Sequence, residues 1–308
     1  MDDEMMRRLQ AMVEARDGAG AGAGPRVIDA DASEAEQLAA VSMPPIFAYL
    51  KSKKSVSELE DALKSDQRLK DDLNVKTARK GTPLLYALVS RSFTKVEVLL
   101  KYGADASLAD TLLKYGYDTP IAPIFIATGS GSMAAADALY RAGADLSATH
   151  DLELEDQGTF TLDLLSSTFM RGHKAGDPAA MIDWVIKKGK EKDVFKNWNI
   201  NFRLPGSLRK TMLGIAIAAK AWASAYILLE NGADPNLADN EGWTPLHTTC
   251  MADNPNISLL LMMYGANDAL RTEDDQAWMP PEKADAVTKN MVKNGAMYRR
   301  LIAKQEKK

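Results

Sequence analysis

The tripeptide Gly-Ala-Asp occurs at Gly103-Ala104-Asp105, at Gly143-Ala144-Asp145 and at Gly232-Ala233-Asp234, and Gly265-Ala266-Asn267 is a close variant. Each glycine closes an apolar run of helical pattern: VEVLLKYG, AADALYRAG, SAYILLENG and LLLMMYG. Twenty-one residues before the four glycines stand Thr82, Ala122, Thr211 and Thr244, which open TPLLYA, APIFIA, TMLGIA and TPLHTT. Self-similarity at a fixed spacing is the mark of a stacked repeat, so few folds other than an array accommodate this chain.

The residues explain the unit. A threonine at a helix N-cap accepts a hydrogen bond from a free backbone N–H, and proline at the next position sacrifices no intrahelical bond. A helix therefore starts there. A turn follows, then a second helix with apolar residues such as Val96, Leu99 and Leu100. The glycine ends that helix by taking a left-handed conformation.

A helix–turn–helix unit of this kind resembles the ankyrin repeat, whose unit is about 33 residues with a T-P-L-H signature. Thr244-Pro245-Leu246-His247 carries the signature in full, and Thr211 precedes Thr244 by 33 residues. Thr82-Pro83-Leu84 and Ala122-Pro123-Ile124 carry part of it, and Thr211-Met212-Leu213 keeps only the ends. The resemblance implies an all-α ankyrin-repeat solenoid of about six stacked units with enlarged finger loops and terminal capping helices. Units are expected to start near Pro44, Thr82, Ala122, Phe160, Thr211 and Thr244. The first, with SVSELEDALKS and Ser65 in the glycine's place, reads as a polar end repeat. Phe160-Thr161-Leu162 opens a degenerate unit whose second helix, MIDWVIKKG, is expected to end at Gly189, with extra residues near RGHKAGDP. Residues 1–32, which include AGAGAGP, read as a mobile acidic and Gly-Ala tail, residues 33–285 as the array, and residues 286–308 as a capping helix with a basic tail.

Only the last step between unit starts is 33; the others are 38, 40, 38 and 51 residues. Most of the additions fall after the glycine, in the finger linking one unit to the next. In the family, fingers and first helices line the binding surface, so insertions there reshape recognition while leaving the stacked core intact. The fingers LADTLLKYGYDTP, ATHDLELEDQGT, FKNWNINFRLPGS and ADNEGW are expected to expose Tyr115, Tyr117, His150, Trp198, Asn199, Phe202, Arg203 and Trp243. Aromatic and Arg residues are the usual energetic anchors of an interface. The competing reading has each aromatic capping its own loop.

Charge and motif content narrow the chemistry. Thirty-eight basic and forty-two acidic side chains leave a net charge of -4, so no broad positive field gathers nucleic acid. Cys250 is the single cysteine, which excludes an internal disulfide and a multi-cysteine metal site. The acidic N-terminus MDDEMMRRLQ lacks the apolar core of a secretory signal. The most membrane-like run, Thr211 to Leu229, is interrupted by Lys220 and reads better as two short buried helices. Cytoplasm or nucleus is the expected location. ATGSGSM lacks the Gly-Lys-Ser/Thr ending of a phosphate loop, so Gly131 reads as the turn between two helices. His150 with Asp151, Glu153 and Glu155 offers an acid–base or metal cluster, against the plainer reading of a solvated acidic finger. His247 lies in the helix-start tetrapeptide, where the family's histidine ties turns together.

Two functions follow. The first is a non-catalytic interaction module, without cofactor or metal, that binds an unidentified protein or peptide on the finger and inner-helix face as a monomer. The second is a small-molecule-binding protein or enzyme with a pocket under the long fingers, using His150, Asp151 or Arg203.

Overall fold

The computed structural model describes residues 44–51, 54–77, 80–112, 117–154, 157–172, 177–267, 290, 293–295 and 297–298. The expected tail, residues 1–32, lies outside them. The chain divides into two compact units, Asp3–Leu152 and Glu153–Lys308.

In the first unit, α1 (Ile46–Lys51) and α2 (Val56–Ser65) form the opening pair, followed by the short α3 (Gln67–Asp71). Ser55 and Glu58 cap α2 reciprocally, which fixes where this polar helix starts. Two regular pairs follow: α4 (Pro83–Val89) with α5 (Phe93–Lys101), and α6 (Pro123–Gly129) with α7 (Met133–Arg141). First helices stack on first helices and second on second. Leu84, Leu85, Leu88, Leu99, Phe125 and Leu139 are fully enclosed between them.

In the second unit, α8 (Leu164–Gly172) pairs with α9 (Ala179–Glu191), α10 (Met212–Ala218) with α11 (Trp222–Glu230), and α12 (Pro245–Met251) with α13 (Pro255–Met263). The apolar run around Lys220 is thus two short helices with Lys220 in the turn. No helix among the described residues is long and apolar enough to cross a membrane.

The predicted caps are in place. Thr82 Oγ1 accepts from the Leu85 N–H at 3.3 Å, Thr211 Oγ1 from Gly214 at 3.1 Å, and Thr244 Oγ1 from His247 at 3.4 Å. Gly103, Gly143, Gly232 and Gly265 all sit at positive φ, from +87° to +103°. This conformation lets the next residue's N–H reach back five residues, as from Ala233 to the Leu228 carbonyl at 3.0 Å, and so closes the helix end. A second ladder joins consecutive pairs. The residue two places after two of the Gly-Ala-Asp aspartates, Asp105 and Asp234, accepts from the backbone of the next motif: Ser107 Oγ from the Asp145 N–H, and Asn236 Oδ1 from the Asn267 N–H, both at 2.8 Å. Asn74 and Asn201 serve Asp105 and Asp234 in the same way.

The unit expected to open at Phe160 is built differently. Phe160, Thr161 and Leu162 are strand, and the helix begins after Asp163, whose Oδ1 accepts from the Ser166 N–H at 2.7 Å. Gly189 lies inside α9, and the left-handed turn after that helix falls on Asp193 at φ 57°. Polar Asp163 wins the cap because its carboxylate accepts two or more donors, which the phenyl group at position 160 cannot.

The long fingers fold into ribbon in two places. Strands β1 (Asp110–Leu112) and β2 (Tyr117–Ile121) pair antiparallel, with Asp110 opposite Ile121 and Leu112 opposite Tyr117. Strands β3 (His150–Leu154) and β4 (Gly158–Leu162) form a second two-stranded sheet. The helical array therefore carries hairpins where loops alone are expected. The terminal cap expected over 286–308 is described only at residues 290, 293–295 and 297–298, which are helical.

Candidate partner-binding site

The finger before α12 is a tight turn built on one buried carboxylate. Asp239 Oδ1 accepts from the Glu241 and Trp243 N–H groups, each at 3.0 Å, and Oδ2 lies 2.9 Å from Lys210 Nζ. The Asp239 N–H returns a 2.9 Å bond to the Trp243 carbonyl. Trp243 is thereby fixed at the finger's end, and its indole meets the His247 ring edge-on with centroids 6.0 Å apart. His247 Nδ1 accepts from the Thr244 N–H at 3.1 Å and lies 2.7 Å from Thr244 Oγ1. An accepting Nδ1 places the ring proton on Nε2 in this neutral, buried histidine. His247 thus has a structural role, closing the capping box of its own helix start with Thr244.

Beside this turn lies a trough with a cavity volume of about 570 Å³, between α10 and α12. Ile217, Ala218, Thr248, Thr249 and Ala252 line it, and the small side chains of Ala218, Thr248, Thr249 and Ala252 leave the space open. Lys210, Glu241 and Trp243 stand at the finger end, and Lys220, Trp222 and Asn254 at the opposite end. Met251, 51% exposed, completes the wall. Large apolar side chains held at the edge of a polar-rimmed concavity are the composition of a recognition surface.

Of the eight residues expected to bind, only Trp243 lines the trough. Tyr115 lies outside the described residues, and Tyr117 is placed in β2 by its backbone alone. His150 is buried, its Nδ1 3.4 Å from the Pro120 carbonyl and its ring tilted against Phe125. Trp198 is also buried, so neither ring is exposed as expected. The Trp198 ring fills the space that Gly189 leaves by having no side chain. Arg203 Nη1 donates to the Arg209 carbonyl at 3.0 Å and the Ala238 carbonyl at 2.5 Å, so it ties neighbouring fingers together. Asn199 is exposed, but its Oδ1 accepts from Asn201 and its N–H donates to Asp163, which makes it part of the inter-unit ladder. Phe202 is half-buried. On the acidic strand, Asp151 and Glu153 are exposed and alternate with half-buried Leu152 and Leu154, while Glu155 lies outside the described residues.

Lys220, Trp222 and Met251 are trough residues that the finger-centred reading passes over. Lys220 carries a signal nonetheless, as the only charge between Thr211 and Leu229. Burial pushes the Cys250 thiol up, the opposite of what an activated nucleophile needs.

The structure is similar to the ankyrin repeat domain of Bcl-3, described as a unique member of the IkappaB protein family, with a TM-score of 0.54 and 16% identity over 82% of this chain and 98% of that one. The human ASB11 ankyrin repeat domain aligns with a TM-score of 0.47 and 21% identity, covering 79% of this chain and 98% of that one. An ankyrin repeat domain from Acinetobacter baumannii AYE aligns at 0.48 and 22%, covering 69% and 93%. No protein-family model and no curated protein matches the sequence. The likeness to Bcl-3, together with the capped helix pairs and the left-handed glycines, identifies the fold as the ankyrin repeat fold.

Proposed function

We propose that the chain is a non-catalytic recognition module that binds a partner protein or peptide, as a monomer, on the finger and inner-helix face of residues 210–254. The observation that carries this reading is the trough between α10 and α12, with Trp243 held in place before any partner arrives. A preorganised indole loses little conformational freedom on binding, so most of its buried area contributes to affinity. Phe202 and Asn199 in the preceding finger are proposed as secondary contacts, and Tyr115 and Tyr117, which belong to Asp3–Leu152, as a separate contact region of that unit. His150, Trp198 and Arg203 lie outside the proposed surface, because their side chains are engaged within the protein.

Pull-down followed by quantitative binding tests the reading. Trp243→Ala should weaken capture by about thirtyfold, the loss of an anchor of roughly 2 kcal/mol. An unchanged melting midpoint would show that the half-exposed side chain was not needed for folding. Capture that survives Trp243→Ala undiminished would move the site elsewhere.

A further inference from the structure

Lys220 and Glu241 are the two trough charges with no side-chain partner among the described residues; Lys210 is paired with Asp239. They stand at opposite ends. Helices α10 and α12 both start at the finger side, so Glu241, ahead of Thr244, marks that end of the trough. Lys220 follows α10 and marks the other. It is held in the left-handed region at φ 58°, a conformation that glycine adopts freely and lysine does not. Between the two ends lie Met251 and the small lining residues, with Trp243 beside Glu241 and Trp222 beside Lys220 adding apolar surface at each end.

Resting on the recognition reading above, we infer that the trough takes a short extended segment with an apolar centre, an acidic residue at the end facing Lys220 and a basic residue at the end facing Glu241. The spacing follows from geometry. A seven-residue helix such as α10 is about 11 Å long, and an extended chain covers that distance with roughly three or four residues. Because both charges lie beyond the helix ends, about five apolar residues fit between the charged ones. A segment with two acidic or two basic ends meets one like charge, and like-charge juxtaposition selects against it.

Fluorescence anisotropy on the full chain tests the inference with three labelled peptides that share one five-residue apolar centre: one with an acidic and a basic end, one with two acidic ends and one with two basic ends. The mixed-charge peptide should bind about threefold or more tightly than either other, a preference typical of exposed charge pairs. Lys220→Glu should transfer the preference to the peptide with two basic ends, and Trp222→Ala should weaken all three together. Equal binding of the three, binding of none, or a ranking that Lys220→Glu leaves unchanged would overturn the inference. Loss of partner capture in Trp243→Ala alongside equal peptide binding would leave the recognition reading standing and remove only the charge pattern. The expected peptide ranking with capture intact in Trp243→Ala would do the reverse.

Discussion

Two glycines forbid a side chain for opposite reasons. At Gly232 the backbone is at φ +92° and nothing lies within 4 Å of where a Cβ would be, so the restriction is conformational. Gly232→Val should destabilise by about 1 kcal/mol or more, since a β-branched residue is forced into the left-handed region. An unchanged denaturation midpoint would contradict the turn. At Gly189 the backbone is helical, but a Cβ would overlap Cζ3 and Cη2 of Trp198. Helix propensity favours alanine there by about 1 kcal/mol, while overpacking costs about 1–3 kcal/mol. The clash wins: Gly189→Ala should lower stability, and it should do so less in a Trp198→Ala background. Additive losses in that double-mutant cycle would show that the two residues are not coupled. The same pair explains why the unit after β4 resists reading from sequence. Asn199 and Asn201 repeat the roles of Asp234 and Asn236, which puts Trp198 where Ala233 stands in the regular unit. An indole in an alanine's place is tolerable only with a glycine nine residues earlier, and local patterns do not reveal such compensation.

Among the elements, regular helix pairs were legible because their signals are local: a threonine cap, a proline at the first position and a left-handed glycine each act within one turn. The trough was not, since it arises where α10 and α12 lie side by side at the spacing of 33, the junction with the fewest irregularities. Only Trp243 stood out there. The C-terminal helical residues make a further element-level contact: Asn290 Nδ2 donates to the Cys250 carbonyl at 2.9 Å, and Asn294 Nδ2 lies 3.8 Å from its sulfur. Cys250 is fully buried. A disulfide-exchange reagent should therefore label native protein slowly, at the rate of local opening, and Asn290→Ala with Asn294→Ala should raise that rate about tenfold. Burial holds the thiol pKa above its ordinary 9.0, so above that pH the unfolded chain loses a proton that the folded chain keeps. This contribution is neutral below about pH 9 and lowers stability as pH rises further. Rapid labelling of the native wild type would contradict the docking of these residues on α12.

For the molecule as a whole, the governing fact is that within each unit helix pairs contact their neighbours in sequence, so the stability of a unit is a sum of local pairs and their interfaces. The chain divides into Asp3–Leu152 and Glu153–Lys308, each with its own enclosed core. Damage in one unit should stay there. Trp198→Ala removes a buried indole from the second unit, a loss of about 3–5 kcal/mol against a typical total of about 5–15 kcal/mol. Hydrogen exchange should then show amides of α8 to α11 losing protection by two to three orders of magnitude at about 1.4 kcal/mol per factor of ten. Amides of α4 to α7 should keep most of theirs, because they belong to the other compact unit. A protection loss of the same factor in both sets would mean that the array unfolds as one cooperative body, and that the enclosed core of Leu84, Leu99, Phe125 and Leu139 does not sustain its unit alone.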